Sequence, residues 1–127
     1  MTPPPPERVV LIVEDRPDTR RSLGKLLRAY GFPSAEAADG QQALDYLRSH
    51  PPPSLILLDL AMPVMDGWEF RRRQCQDPDL AAIPVVVCSA YSVDGAGALE
   101  GVARIHRKPV DPDELLETVR LYCGPAA

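Results

Sequence analysis

Cysteine is scarce in this chain: Cys75, Cys88 and Cys123 are its three, an odd number with no C-x-x-C spacing. That argues against a disulfide framework or a zinc site and favours reduced thiols. No apolar stretch approaches the length of a bilayer span, so no membrane partner is expected. The opening residues, Met1 to Glu7, lack the basic start and apolar core of a secretion signal, and the prolines within them suit a short extended tail. A cytoplasmic location is the expectation. Nor is there a basic excess. The formal net charge is -4, which argues against nonspecific binding to a phosphate backbone, and no nucleic-acid partner is expected. Internal repeats and low-complexity tracts are also missing beyond the amino-terminal prolines.

What is present is the material of one folded unit. At 127 residues the chain can bury a core but leaves no room for a second domain. A proline-rich tail is expected over residues 1–7, the domain over 8–123 and a short tail over 124–127. The stretch Leu55, Ile56, Leu57, Leu58 is an unbroken apolar run between Pro51-Pro52-Pro53 and Pro63, too short for a helix with such flanks. It reads as a strand buried on both faces. Asp59 ends it, where open α/β sheets place their ligand sites.

Two further apolar runs share this form. Val9 to Val13 ends in Glu14-Asp15, and Val85 to Cys88 ends in Ser89-Ala90. Two weaker segments, 33–38 and 102–107, are more polar and fit edge strands, with Arg104, His106 and Arg107 read as a solvated edge. Between the strands, helical signals alternate. Pro17 opens a helix with Leu23, Leu26, Leu27 and Tyr30 on one face, and Gly31 stops it. Asp39 with Gln42 three residues on makes a capping box for a helix burying Ala43, Leu44 and Leu47. Asp66 with Glu69 opens a third helix, in which Phe70 and Cys75 are the expected anchors and Arg71, Arg72 and Arg73 a solvated face. A short fourth helix is expected between Ser92 and Gly101, weakened by Gly95 and Gly97. Asp111 and Pro112 start the last, packed through Leu115, Leu116, Val119 and Tyr122.

Five strands alternating with five helices predict an α/β domain with a doubly wound five-stranded parallel sheet. The apolar strands belong inside and the polar ones at the edges, which selects the order 2-1-3-4-5. In that order Glu14, Asp15, Asp59, Ser89 and Lys108 fall at neighbouring strand ends and converge on one crevice. Three carboxylates there repel one another, and a hard divalent cation such as Mg2+ relieves the repulsion. A carboxylate attacking phosphorus needs the incoming negative charge neutralised, which a metal and Lys108 can do together, with Ser89 donating a hydrogen bond.

These residues resemble the receiver domain of two-component response regulators, a flavodoxin-like fold. The resemblance is carried by the acidic pair Glu14-Asp15, the strand ending in Asp59, the segment Met62-Pro63-Val64-Met65-Asp66-Gly67, Ser89-Ala90 and Lys108-Pro109. It runs from about Arg8 to Tyr122. The resemblance implies that Asp59 accepts a phosphoryl group from a histidine kinase or histidine phosphotransfer protein. It implies that Glu14, Asp15, Asp59 and the backbone carbonyl of Ala61 hold Mg2+, that Ser89 and Lys108 clasp the phosphoryl oxygens, and that an unidentified downstream protein reads the result. The expected character is a signalling switch rather than an enzyme, stand-alone, monomeric or weakly dimeric. Three positions depart from the family pattern. Its switch aromatic is Ile105 here, its fourth helix is about one turn short, and Ala61 and Tyr91 flank the acceptor, where an altered acyl-phosphate lifetime is expected.

Three other functions compete. An aspartyl-phosphate phosphohydrolase would place a second Asp two residues after the nucleophile, where this chain has Ala61. A receiver-like module that binds partners without phosphorylation would be expected to have lost part of the acidic site. A dinucleotide or flavin module would want a glycine- or hydroxyl-rich loop after the first strand, where Glu14-Asp15-Arg16-Pro17 stands instead.

Overall fold

The computed structural model describes residues 8–90 and 101–124. Five parallel strands, β1 (Val10–Val13), β2 (Ser34–Ala37), β3 (Leu55–Asp59), β4 (Val85–Ser89) and β5 (Arg104–Arg107), form one sheet in the order β2-β1-β3-β4-β5. Four helices lie among the described residues: α1 (Pro17–Ala29), α2 (Gly40–Ser49), α3 (Gly67–Gln76) and α4 (Pro112–Cys123). The helix expected between Ser92 and Gly101, and Tyr91 before it, lie outside the described residues, except that Gly101 forms a turn at φ +79°.

The three apolar strands are buried at every position, as strands covered on both faces must be. Their side chains alternate between two cores. One gathers Leu11, Val13, Ile56, Leu58, Val85 and Val87 with α2 and α3, and the other gathers Val10, Ile12, Leu55, Leu57 and Val86 with α1 and α4. Helix starts follow the capping chemistry. The carboxylates of Asp39 and Asp66 accept from the amides of Gln42 and Glu69 at 2.8 and 2.9 Å, and Asp111 accepts from Asp113 and Glu114. Gln42 completes its box by accepting from the amide of Ala38.

Four packing expectations are corrected. On α3 the second anchor is not Cys75, which is exposed, but Arg71 and Gln74, both buried; only Arg72 and Arg73 are solvated. The Gln74 amide donates to the carbonyls of Leu80 and Ile83, each at 3.0 Å, and its oxygen accepts from Arg71, so polar atoms fill a helix-to-sheet contact without orphaned groups on the glutamine. On α4, Tyr122 is 40% exposed while Thr118 and Cys123 are buried, because the buried stripe runs through Leu115, Val119 and Cys123 at four-residue spacing and Tyr122 falls at its margin. His106 is not solvated: it is buried beneath α4 with its Nε2 3.0 Å from the Thr118 hydroxyl. On α1, Leu27 is buried, but Tyr30 lies past the helix end and is exposed.

Candidate functional site

Parallel pairing brings the strand ends level. Val13 pairs with Ala37 and Leu58, Asp59 with Cys88, and Ser89 with Arg107, so Glu14, Asp59, Ser89 and Lys108 emerge side by side. Carboxylate oxygens of Glu14, Asp15 and Asp59 lie within 4.8 Å of one another. Lys108 reaches into this group. Its ammonium donates to both oxygens of Glu14 at 3.1 Å and stands 3.6 Å from Asp59 Oδ1. Glu14 is 2% exposed and Asp59 8%, whereas Asp15 is half-buried. Ser89 is buried at the end of β4, and its carbonyl accepts from the backbone amide of Lys108 at 2.8 Å. Lys108 is followed by a cis peptide bond to Pro109. Ala61 lies two residues past Asp59 with its surface exposed.

The electrostatics are unbalanced. Burial raises the Glu14 pKa to about 7, with the neighbouring Asp59 carboxylate adding to the rise and Lys108 opposing it. One ammonium is therefore too little positive charge for the carboxylates packed here. Hard oxygen donors crowded into a partly buried crevice are the set a divalent cation such as Mg2+ takes, completed by water and backbone carbonyls.

Two residues given no role of their own in the residue pattern also contribute. Gly67 donates its amide to the carbonyl of Leu60 at 2.9 Å, and a Cβ there would stand 2.5 Å from the backbone oxygen of Asp59. The loop after β3 can fold back against Asp59 only over a glycine. The signal was a glycine directly behind the Asp66 cap. Arg20 on α1 donates to the backbone carbonyl of Glu14 at 2.9 Å and pairs with Glu36 at 3.4 Å, fixing where β1 delivers its acid. Nothing in the spacing of α1 distinguishes Arg20 from its solvated neighbours.

The family model described as the response regulator receiver domain matches residues 10–120. The chain belongs to this family. Among its relatives, the polar-differentiation response regulator DivK of Brucella anthropi is 31% identical, the alignment covering 92% of this chain and 97% of DivK. The response regulator Rre1 of Synechocystis is 36% identical over 87% of this chain, which spans only 49% of that longer protein. A solved structure of the response regulator protein TrrA from Thermotoga maritima, in complex with Mg(2+)-BeF, superposes with a TM-score of 0.82 at 25% identity, covering 91% of this chain and 98% of TrrA. The receiver fold and the place of this chain in two-component signalling rest on these matches. Among the described residues no helix is long and apolar enough to cross a membrane.

Proposed function

We propose that this receiver domain is a phosphorylation switch in which Asp59 accepts a phosphoryl group from a histidine kinase or histidine phosphotransfer protein. The observation that carries the reading is the grouping of Glu14, Asp15 and Asp59 within 4.8 Å with Lys108 in contact, at the carboxyl end of a buried parallel sheet. Asp59 Oδ attacks phosphorus, the bond from phosphorus to the donor imidazole nitrogen breaks, and an acyl phosphate forms. Glu14, Asp15, Asp59 and the carbonyl of Ala61 would hold Mg2+, which would supply positive charge to the phosphoryl oxygens. Lys108 moves from Glu14 to the arriving phosphoryl group, and the Ser89 hydroxyl donates to a second oxygen. The presence of Mg2+ with a fluoride phosphoryl mimic in TrrA supports the assignment by similarity. Ala61 stands where a phosphohydrolase would carry its second Asp, which favours a switch over an enzyme. Because the family's switch aromatic is replaced by Ile105, which is 42% exposed on β5, the signal passes without an aromatic rotation there.

Intact mass after incubation with acetyl phosphate tests this directly. One Mg2+-dependent phosphoryl adduct on the wild type, lost in Asp59→Asn, is the expected result. A folded protein that takes no adduct under any condition would instead identify a phosphorylation-independent binding module.

A further inference from the structure

The acceptor crevice does not stop at its charged groups. From Asp59 and Lys108 it continues between α1 and the start of α4, and the whole cavity measures about 560 Å³. A phosphoryl group occupies only the charged end of such a volume, which lies in the range of pockets that take whole small molecules, roughly 300–1,000 Å³. The remainder is largely aliphatic. Leu23 and Leu26 of α1 form one wall, Val110 and Leu115 the other, and Ile12 and Leu57 of the sheet lie beneath. Leu23, Leu26 and Val110 pack on the core below α1 and α4 yet are only half-buried, so apolar surface is left uncovered where they line the groove.

We propose that this groove is an acyl-chain site, and that the domain can take its phosphoryl group from acyl phosphates carrying an aliphatic chain. The proposal rests on the reading of Asp59 as phosphoacceptor and adds a class of small-molecule donor. Continuity between the two ends selects the occupant. It must present a phosphoryl group to Asp59 and Lys108, hydrocarbon to Leu23, Leu26 and Val110, and a good leaving group on phosphorus between them. An alkyl phosphate has the first two features but would have to expel an alkoxide. An acyl phosphate has all three. Asp59 Oδ attacks phosphorus, the bond from phosphorus to the acyl oxygen breaks with its electron pair on the leaving carboxylate, and aspartyl phosphate and a free carboxylate result without change of oxidation state. The carboxylate departs unprotonated, so the transfer needs no general acid at the position of Ala61.

A chain-length series tests this on the full chain, with intact mass followed over time in Mg2+ buffer under acetyl, butyryl and hexanoyl phosphate. The three leaving carboxylates differ little in basicity, so a difference in rate reports the chain. The second-order rate constant is expected to rise at least roughly tenfold from acetyl to hexanoyl phosphate, since each fully buried methylene contributes about fourfold. Leu26→Gln makes one wall polar and Ser22→Trp narrows the groove beside it, and each is expected to level the hexanoyl and acetyl rates. The ratio within one preparation cancels any loss of folded protein. An acetyl adduct lost in Asp59→Asn, with no rise along the series, keeps the phosphoacceptor and overturns the chain site alone. No adduct from any donor on a folded protein removes both. A rise that persists in both variants puts the chain elsewhere and also overturns the site.

Discussion

Two buried polar groups of this molecule sit on the same scaffold and behave oppositely. Beside the sheet, Arg71 and Gln74 of α3 are buried, and Gln74 satisfies its own donors and acceptor on Leu80, Ile83 and Arg71. At the strand ends, Glu14 and Asp59 are equally buried but like-charged, and the single Lys108 leaves Glu14 with its pKa raised to about 7. On Gln74 the first arrangement is closed: each of its polar atoms has a partner within the fold. The second costs stability that is returned when its negative charge is relieved, and that asymmetry marks the strand ends as a place suited to binding a cation.

The comparison breaks most sharply under substitution. Gln74→Leu fills similar volume but strands the carbonyl of Ile83 and removes the acceptor of the Arg71 guanidinium, while the Leu80 carbonyl keeps the Ile83 amide, so a loss of about 1–3 kcal/mol is expected in urea unfolding. Asp59→Asn should move the other way in Mg2+-free buffer at neutral pH, gaining roughly 1–2 kcal/mol as the repulsion with Glu14 disappears. If both variants lose stability alike, the strand ends are as self-satisfied as α3 and the contrast fails.

Proton linkage offers a second separation. Glu14 has a folded pKa near 7 against an ordinary value of 4.5, so the folded state holds its proton more tightly than the unfolded chain does. Metal-free stability is then highest below the unfolded value and is lost as pH rises through the folded one. On the proposed reading, Mg2+ binding at Glu14 would displace that proton, and its affinity should rise about tenfold per pH unit up to about 7 and level off above. Isothermal titration across that range checks it, and Glu14→Gln should remove the pH dependence along with much of the affinity.

His106 gives the opposite slope. Burial lowers its pKa below the ordinary 6.5, with Arg104 acting in the same direction. Its neutral ring fits the buried contact with Thr118, whose hydroxyl itself donates to the carbonyl of Glu114. Stability tied to this group is complete above the unfolded pKa and falls as pH drops below it. His106→Leu/Thr118→Val replaces both partners by apolar groups, so it should stay within about 1 kcal/mol of wild type at neutral pH while flattening the acid limb of the thermal midpoint.

The same contrast explains what could be read from the residues. Strand order was legible because Leu55 to Leu58, Val9 to Val13 and Val85 to Cys88 are apolar throughout, and an acid or hydroxyl ending each run places it at the sheet's carboxyl edge. Caps were legible because Asp39, Asp66 and Asp111 act on amides two or three residues away. Gln74 was not, since its partners lie six and nine residues downstream and exist only once β4 has docked. His106 reads as polar edge for the same reason: Thr118, twelve residues later, is what makes its burial tolerable. Local chemistry announces itself in sequence, whereas a polar residue satisfied at a distance looks like a surface one.

The smallest expected effect lies in the loop that joins the two regions, between Asp59 and the start of α3. Val64 there takes φ +67°, and it is 85% exposed, so no packing compensates a β-branched side chain in the left-handed region. The turn is held from both sides. Met65 donates to the carbonyl of Pro63 at 2.7 Å and accepts from the amide of Gly40 at 3.1 Å, while Gly67 is pinned to Leu60. The chain therefore keeps the conformation at the expense of Val64. Val64→Asn or Val64→Gly should raise stability by about 1 kcal/mol, the cost of a left-handed β-branched residue less the entropy a glycine returns to the unfolded chain. Mg2+ affinity should be unchanged in either variant, because the backbone that positions Asp59 is the same. A variant that gains no stability would mean the loop relaxes around Val64, and one that alters Mg2+ binding would mean the strain reaches the acceptor end.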